Sequence, residues 1–308
     1  MKLVTYNIRF GLGLDQQIDL GRIAGAVQDA DIIALQEVER FWKHSGMVDQ
    51  PEILASHMEK FYWSYCPAFD IDASTRNNEE IVFNRRRQFG PMVLSRWPIR
   101  MSRIIVFPKL GTLNILNMDT GAIECVIYTP SGPLKVYSLH LSPVSSRDRL
   151  MQIDRLLEFH RNAQVSGGAW TGGEVDMNTD PVEAQPMAGL NWNNGETPPV
   201  MPEETVVMGD FNSIPDSDEY DRMVGAQDLF YGRVRHLDGF VDSWTCARER
   251  ADDRTSWWPD PPEQEPGHGL CLDHCFISPC LAQQVERAWV DRAAEGSDHR
   301  PYWVELNF

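Results

Sequence analysis

Five short apolar runs in this chain each end on a polar residue of one narrow chemical type. The clearest is Thr205-Val-Val-Met-Gly-Asp-Phe-Asn-Ser-Ile-Pro215. Val206 to Met208 predict a short buried strand, Gly209 breaks the run, and Pro215 prevents the strand from continuing. Asp210 and Asn212 lie two residues apart, so extended backbone would point them the same way. The other runs deliver Asn7, Glu37 (after Gln36), His140 and Asp273, and Asp298 and His299 sit just before the last strand. Open α/β sheets keep their chemistry at the C-terminal ends of strands. One such ending fits a strand closing in an Asx-turn. Five in one chain are hard to assign to turns alone.

Between these runs the chain reads as one α/β domain, residues 1–308, with no internal repeat and no clear linker. Helical spacing appears over 19–29, through Leu20, Ile23 and Val27, and again over 146–161, with further helices expected near 51–61 and 217–225. Residues 62–137 are strand-rich, divided by Gly-Pro and Ser-Gly-Pro turns. Two irregular insertions, about 163–204 and 248–270, interrupt the pattern. The first carries Trp170 and Trp192, and its length inside a compact domain suggests a lid or wall over a site.

A formal charge of −17 repels polyanions at long range and argues against a non-specific nuclease on long duplexes. No signal-like leader and no membrane-length apolar run stands out, so a soluble, cytoplasmic protein is expected. Nor does any apolar hairpin mark a membrane anchor. Cys271, Cys275 and Cys280 lie close together but lack a CxxC pair, and they read as free thiols. Carboxylate and amide oxygens are the donors that hard divalent cations take, and magnesium needs only one or two protein carboxylates. Glu37 and Asp298 could supply those, with Asn7 nearby. Zinc is a poorer fit to a set with few histidines and no thiolate pair.

Thr5-Tyr-Asn-Ile8, Leu35-Gln-Glu-Val38, Ser138-Leu-His-Leu141, Gly209-Asp-Phe-Asn212, Leu272-Asp-His-Cys-Phe276 and Ser297-Asp-His299 occur in that order. The ordered set resembles the motifs of the endonuclease/exonuclease/phosphatase superfamily over essentially the whole chain. That resemblance implies a deoxyribonuclease I-like fold: a four-layer α/β sandwich of two packed mixed sheets flanked by helices. It implies cleavage of phosphate esters with Mg2+, or with Mn2+ or another divalent cation. Glu37, Asn7 and Asp298 would hold the metal. Asp210 would orient or deprotonate water, Asn212 would position it, and His140 and His299 would stabilise the phosphoryl transition state. Asp273 would hydrogen-bond His299 and keep it cationic. Arg147 and Gln152, on the helix after His140, match a less specific family pattern; that helix reads first as a support for the site, with Arg147 as a candidate substrate contact. Arg87, in the run Arg85-Arg86-Arg87, reads either as part of a solvated face or as a phosphate contact. His268, in the second insertion, lies near the Asp273 strand. His44 fits no pattern. The Cys271 and His274 positions depart from the commonest family form, which clouds the substrate subclass. The leading expectation is a phosphodiesterase acting on a small or medium phosphate ester. A DNA or RNA nuclease, and an inactive binding protein of the same fold, are the alternatives.

Overall fold

The computed structural model describes residues 1–171, 196–259 and 269–308. Trp192 and His268 therefore lie outside the described residues, as does most of the first insertion. An eight-stranded sheet runs in the order Glu249–Arg250, Val285–Val290, Tyr302–Leu306, Lys2–Asn7, Ile32–Arg40, Arg86–Ser95, Tyr62–Tyr65, with Phe69–Asp72 also paired to Arg86–Ser95. A six-stranded sheet runs Val241–Asp242, Asp273–Ile277, Thr205–Asp210, Gly132–His140, Gly121–Thr129, Ile99–Val106. Both sheets mix parallel and antiparallel neighbours.

Alternation along the strands builds the layers. Leu3, Ile32, Ala34 and Val93 of the larger sheet meet Ile123, Val136, Val206, Met208 and Cys275 of the smaller one in a buried core. Their neighbours in sequence face outward and are covered by helices. Val4, Ile33 and Leu35 pack on Leu20, Ile23 and Val27 of the helix Leu20–Val27 and on Leu54 of Gln50–His57. Tyr137, Leu139 and Val207 pack on Ile153 and Leu156 of Ser146–Ser166 and on Met223 of Asp218–Val224. Strands covered on both faces read as continuous apolar runs, which is how they appear in the sequence. The result is the four-layer sandwich expected from the sequence.

Each sheet has one central parallel pair. Lys2–Asn7 lies beside Ile32–Arg40 with Asn7 opposite Gln36, and Gly132–His140 lies beside Thr205–Asp210 with His140 opposite Asp210. Gln36 and Ser138 tie the two pairs together: Gln36 Nε2 donates to Ser138 Oγ at 3.0 Å, and Ser138 Oγ donates to Leu35 O at 3.1 Å. The polar strand ends of both sheets thus open at the same edge of the sandwich.

Boundaries differ from the sequence reading where tertiary contacts decide them. The strand Thr205–Asp210 runs through Gly209 rather than breaking there. A Cβ at Gly209 would sit 2.0 Å from Leu139 O, so glycine permits the neighbouring strand to approach this closely. The helix after His140 continues to Ser166, beyond the expected end at 161. Its 21 residues carry the chain about 30 Å from the site edge. The described ends of the first insertion accordingly pack at the far side: Gln164 Nε2 donates to Met201 O, and Arg100 reaches Thr197 O and Trp170.

Candidate active site

Asp210 is the hub. Its Oδ2 accepts from Asn7 Nδ2 at 2.9 Å and stands 3.6 Å from both His140 Nε2 and His299 Nε2. Register places it there: Asp210 is the last residue of a central strand, with His140 on one side and Asp273 on the other. Asn212 does not continue the strand. Its φ of 48° turns the chain, its N–H donates to Asp210 Oδ1 at 2.8 Å, and its Nδ2 donates to Leu141 O at 3.0 Å. The strand end is therefore an Asx-turn as well as part of the cluster, and Asp210 and Asn212 do not project in parallel from extended backbone.

Glu37 reaches the cluster through a distortion of its strand. Pairing with Arg86–Ser95 shifts between Leu35 and Val38, and Glu37 takes φ 58°. A bulge of this kind re-aims one side chain, and non-glycine residues adopt such φ values at a cost of about 1–3 kcal/mol. Asn7 Nδ2 donates to Glu37 Oε1 at 3.0 Å as well as to Asp210, while Asn7 Oδ1 accepts from Arg9 N. Glu37 Oε1 lies 3.9 Å from His140 Nε2.

His299 is held from behind. Its Nδ1 is 2.7 Å from Asp273 Oδ2, in a buried pair. Burial opposes a charge on the His299 ring, but the Asp273 and Asp210 carboxylates outweigh it and push the imidazole up to about 10. Ser256 fixes the pair's backbone: its Oγ accepts from Leu272 N and Asp273 N, both at 3.1 Å, and its carbonyl accepts from Arg300 N. Trp257 bridges both Leu270 and His299 through backbone pairing, and its Nε1 donates to Asp298 Oδ2 at 3.2 Å. The near half of the second insertion is thus a brace and wall for the site.

The cluster opens into a cavity of about 1130 Å³. Glu37, His140, Asp210, Asn212, Asp298 and His299 line it. Asp273 stays behind His299, and Asn7 lies beneath the acids. Two expected substrate contacts stand outside the lining. Arg147 is exposed on the first turn of its helix, where the neighbouring Arg149 turns in to Glu219 and Ser142 O. Arg87 donates to Phe41 O and lies over the Trp42 ring, behind the wall rather than within it. The arginine and lysine among the described residues that do line the cavity are Arg9 and Lys109.

The sequence reading missed most of that wall. Phe10, Trp42, His44, Phe69 and Phe89 line one side, and Ile115, Leu116 and Met118 another. Leu113 and Ile115 are fully exposed, so an apolar loop does border the cavity although no hairpin was expected. No described residue of the first insertion lines it, and most of that segment lies outside the described residues. These wall residues come from separate strands, turns and loops with no shared spacing. Only the local excess of aromatics around 41–44 gave a signal.

Among the described residues, ligand atoms of Asp210, Asp273 and His299 lie within 4.8 Å of one another, a group able to hold a metal ion. Glu37 and Asp298 line the same cavity and add carboxylate oxygens of the kind that suit a hard divalent cation, and Asn7 braces Glu37 through Nδ2.

A family model described as the endonuclease/exonuclease/phosphatase family matches residues 4–299. Solved structures similar to the chain include a protein of that family from Leptotrichia buccalis, at 16% identity and TM-score 0.61, each chain covered over 100% of its length. A mannosyl-6-phosphatase from Bacteroides thetaiotaomicron gives 16% identity and TM-score 0.59, again over 100% of both chains. The 3′ phosphatase NExo from Neisseria, bound to a product DNA hairpin, gives 17% identity and TM-score 0.55 over 100% of both. No curated protein matches the chain in a sequence comparison. No helix among the described residues is long and apolar enough to cross a membrane.

Proposed function

The chain belongs to the endonuclease/exonuclease/phosphatase family, whose members are generally hydrolases of phosphoester bonds, and we propose that it is a divalent-metal-dependent phosphodiesterase acting on a small or medium phosphate ester. One observation carries this reading. Asp210, Glu37, His140 and His299 converge at the floor of a cavity of about 1130 Å³, far larger than a phosphate needs and walled by aromatic side chains. Such a space fits a phosphate bound at the floor with a compact organic group against the wall. A chain of net charge −17 adds no long-range attraction for a long polyanion.

In this reading Glu37 would hold the metal, with Asn7 and Asp298 beside it, and Mg2+ is the proposed ion. Bound there, the ion would withdraw charge from the phosphoryl oxygens and acidify water. The rest falls to the chain's own groups. Asp210, fixed by Asn7, accepts a proton from the attacking water or orients it. Asn212 positions that water. His140 and the cationic His299 donate to the non-bridging oxygens as negative charge builds in a site that excludes most water, where such donors count most. Asp273 fixes the His299 ring by accepting from Nδ1, leaving Nε2 to face substrate.

The test compares Mg2+-dependent hydrolysis of bis-p-nitrophenyl phosphate with plasmid nicking and decay of a single-stranded oligonucleotide. Diester turnover that is lost in Glu37→Ala, with little nicking, is the expected result. Strong nicking lost in the same variant would make the protein a nuclease instead. No turnover on any phosphate ester, together with no metal binding by calorimetry, would leave an inactive binding protein of the same fold.

A further inference from the structure

The aromatic side of the cavity contains one polar pair. Glu39 is 2% exposed, and its Oε1 lies 2.9 Å from His44 Nε2. The His44 side chain is 47% exposed and lines the cavity with Glu39. Its ring is set edge-on to Phe10 at 4.6 Å between centroids and tilted against Trp42 at 5.4 Å. Buried Gln50 locks the arrangement from beneath: its Oε1 accepts from Glu39 N at 3.0 Å, and its Nε2 donates to Phe10 O at 2.7 Å.

This pair is built at a cost. A carboxylate removed from water loses several kcal/mol of solvation, and an apolar pair of similar volume would line an aromatic wall more cheaply. Glu39 holds the ring through Nε2 and so fixes the angle at which Nδ1 is presented. Nδ1 has no hydrogen-bond partner among the described residues. A half-exposed ring nitrogen, held at a fixed angle between two aromatic rings, is arranged to make a hydrogen bond with a ligand.

Resting on the phosphoesterase reading above, we propose that Glu39 and His44 form a specificity pair. Glu39 positions the ring, and His44 Nδ1 makes a hydrogen bond with a hydroxyl or amino group on the organic part of the phosphate ester. The preferred substrates are then esters of alcohols that pair an apolar stretch, lying along Phe10 and Trp42, with a second donor group. Simple alkyl esters are poorer ligands because they cover the ring without giving Nδ1 a hydrogen-bond partner.

Binding of phosphonates tests this without turnover, since they have no ester bond to hydrolyse. Calorimetry in Mg2+ would compare ω-hydroxyalkyl- and ω-aminoalkylphosphonates of two to six carbons with alkylphosphonates of matching length. Wild-type protein should favour at least one donor-bearing series by about tenfold. Whichever series wins tells hydroxyl from amine. His44→Ala should collapse that ratio towards one, and Glu39→Gln should reduce it. If alkylphosphonates bind but the donor gives no advantage, or if the advantage survives in His44→Ala, the specificity pair is overturned while the phosphate site stands. Full preference in Glu39→Gln would overturn the positioning role of Glu39. Failure of every phosphonate to bind wild-type protein would overturn the phosphoesterase reading and this proposal with it.

Discussion

His299 stands between two acids: Nδ1 is 2.7 Å from Asp273 Oδ2, and Nε2 is 3.6 Å from Asp210 Oδ2. The first contact is a buried hydrogen bond that fixes the ring, and the second faces the cavity. In the proposed mechanism the ring must present a proton to substrate from Nε2. Asp273→Asn keeps the volume but can turn its amide towards Nδ1 and reverse the tautomer. We expect turnover of bis-p-nitrophenyl phosphate to fall roughly 10²-fold or more. Thermal unfolding checks that the fold survives. Near-wild-type turnover would remove His299 from the chemistry.

Ser256 reaches the same ring only through the backbone. Its Oγ accepts from two buried N–H groups, Leu272 N and Asp273 N. Ser256→Ala leaves both unanswered, at a cost of about 1–3 kcal/mol each. Urea unfolding should show that loss. Turnover should fall by less than in Asp273→Asn, because the side chain of Asp273 is kept. A variant as stable as wild type would mean that another group satisfies these donors.

Gly209 governs the approach of two central strands. A Cβ there would meet Leu139 O at 2.0 Å, and φ is 157°. Backbone cannot yield cheaply in the middle of a sheet, so Gly209→Ala should destabilise by about 3 kcal/mol or more. The next residue is Asp210, so a partly folded variant should also lose turnover. Chemical denaturation that shows less than about 1 kcal/mol of change would contradict the close approach.

His160 offers a pH test away from the site. Its ring packs on Phe240 at 4.4 Å between centroids, and burial, aided by Lys135 and Arg161, lowers its pKa to about 4. The unfolded chain has the ordinary value of about 6.5. Between those two values the unfolded state takes up a proton that the folded state refuses, so stability is complete above about 6.5 and is lost as pH falls towards 4. His160→Phe should flatten that part of the stability–pH curve, by about 1–3 kcal/mol at its lower end. Urea midpoints measured from pH 7 to 4 check it, and identical slopes in the two proteins would refute it.

Much of the cluster was legible because strands write locally. A residue at the end of an apolar run announces itself by contrast, and Asn7, Glu37, His140 and Asp210 each stand in such a contrast, whereas Asp273 opens its strand rather than ending one and His299 sits in the loop before the last strand. Asp210 and Asn212 read as parallel on the assumption of extended backbone, whereas a φ of 48° at Asn212 folds the turn back on Asp210. The reading of the first insertion as a lid falls mostly on residues outside the described ones. Arg87 and Arg147 carry charge but no positional signal, and neither lines the cavity.

By itself, the sequence determined the class of fold and the chemical types gathered in it, since both follow from local patterning: period, apolar runs and the residues that end them. Only the tertiary structure decided which ends meet and what surrounds them. The Asn7–Asp210 bond spans 203 residues, and the Glu39–His44 pair lies in a wall assembled from strands and loops that share no periodicity. Contacts of that kind depend on how two sheets are registered and stacked, and a one-dimensional pattern carries no term for that distance.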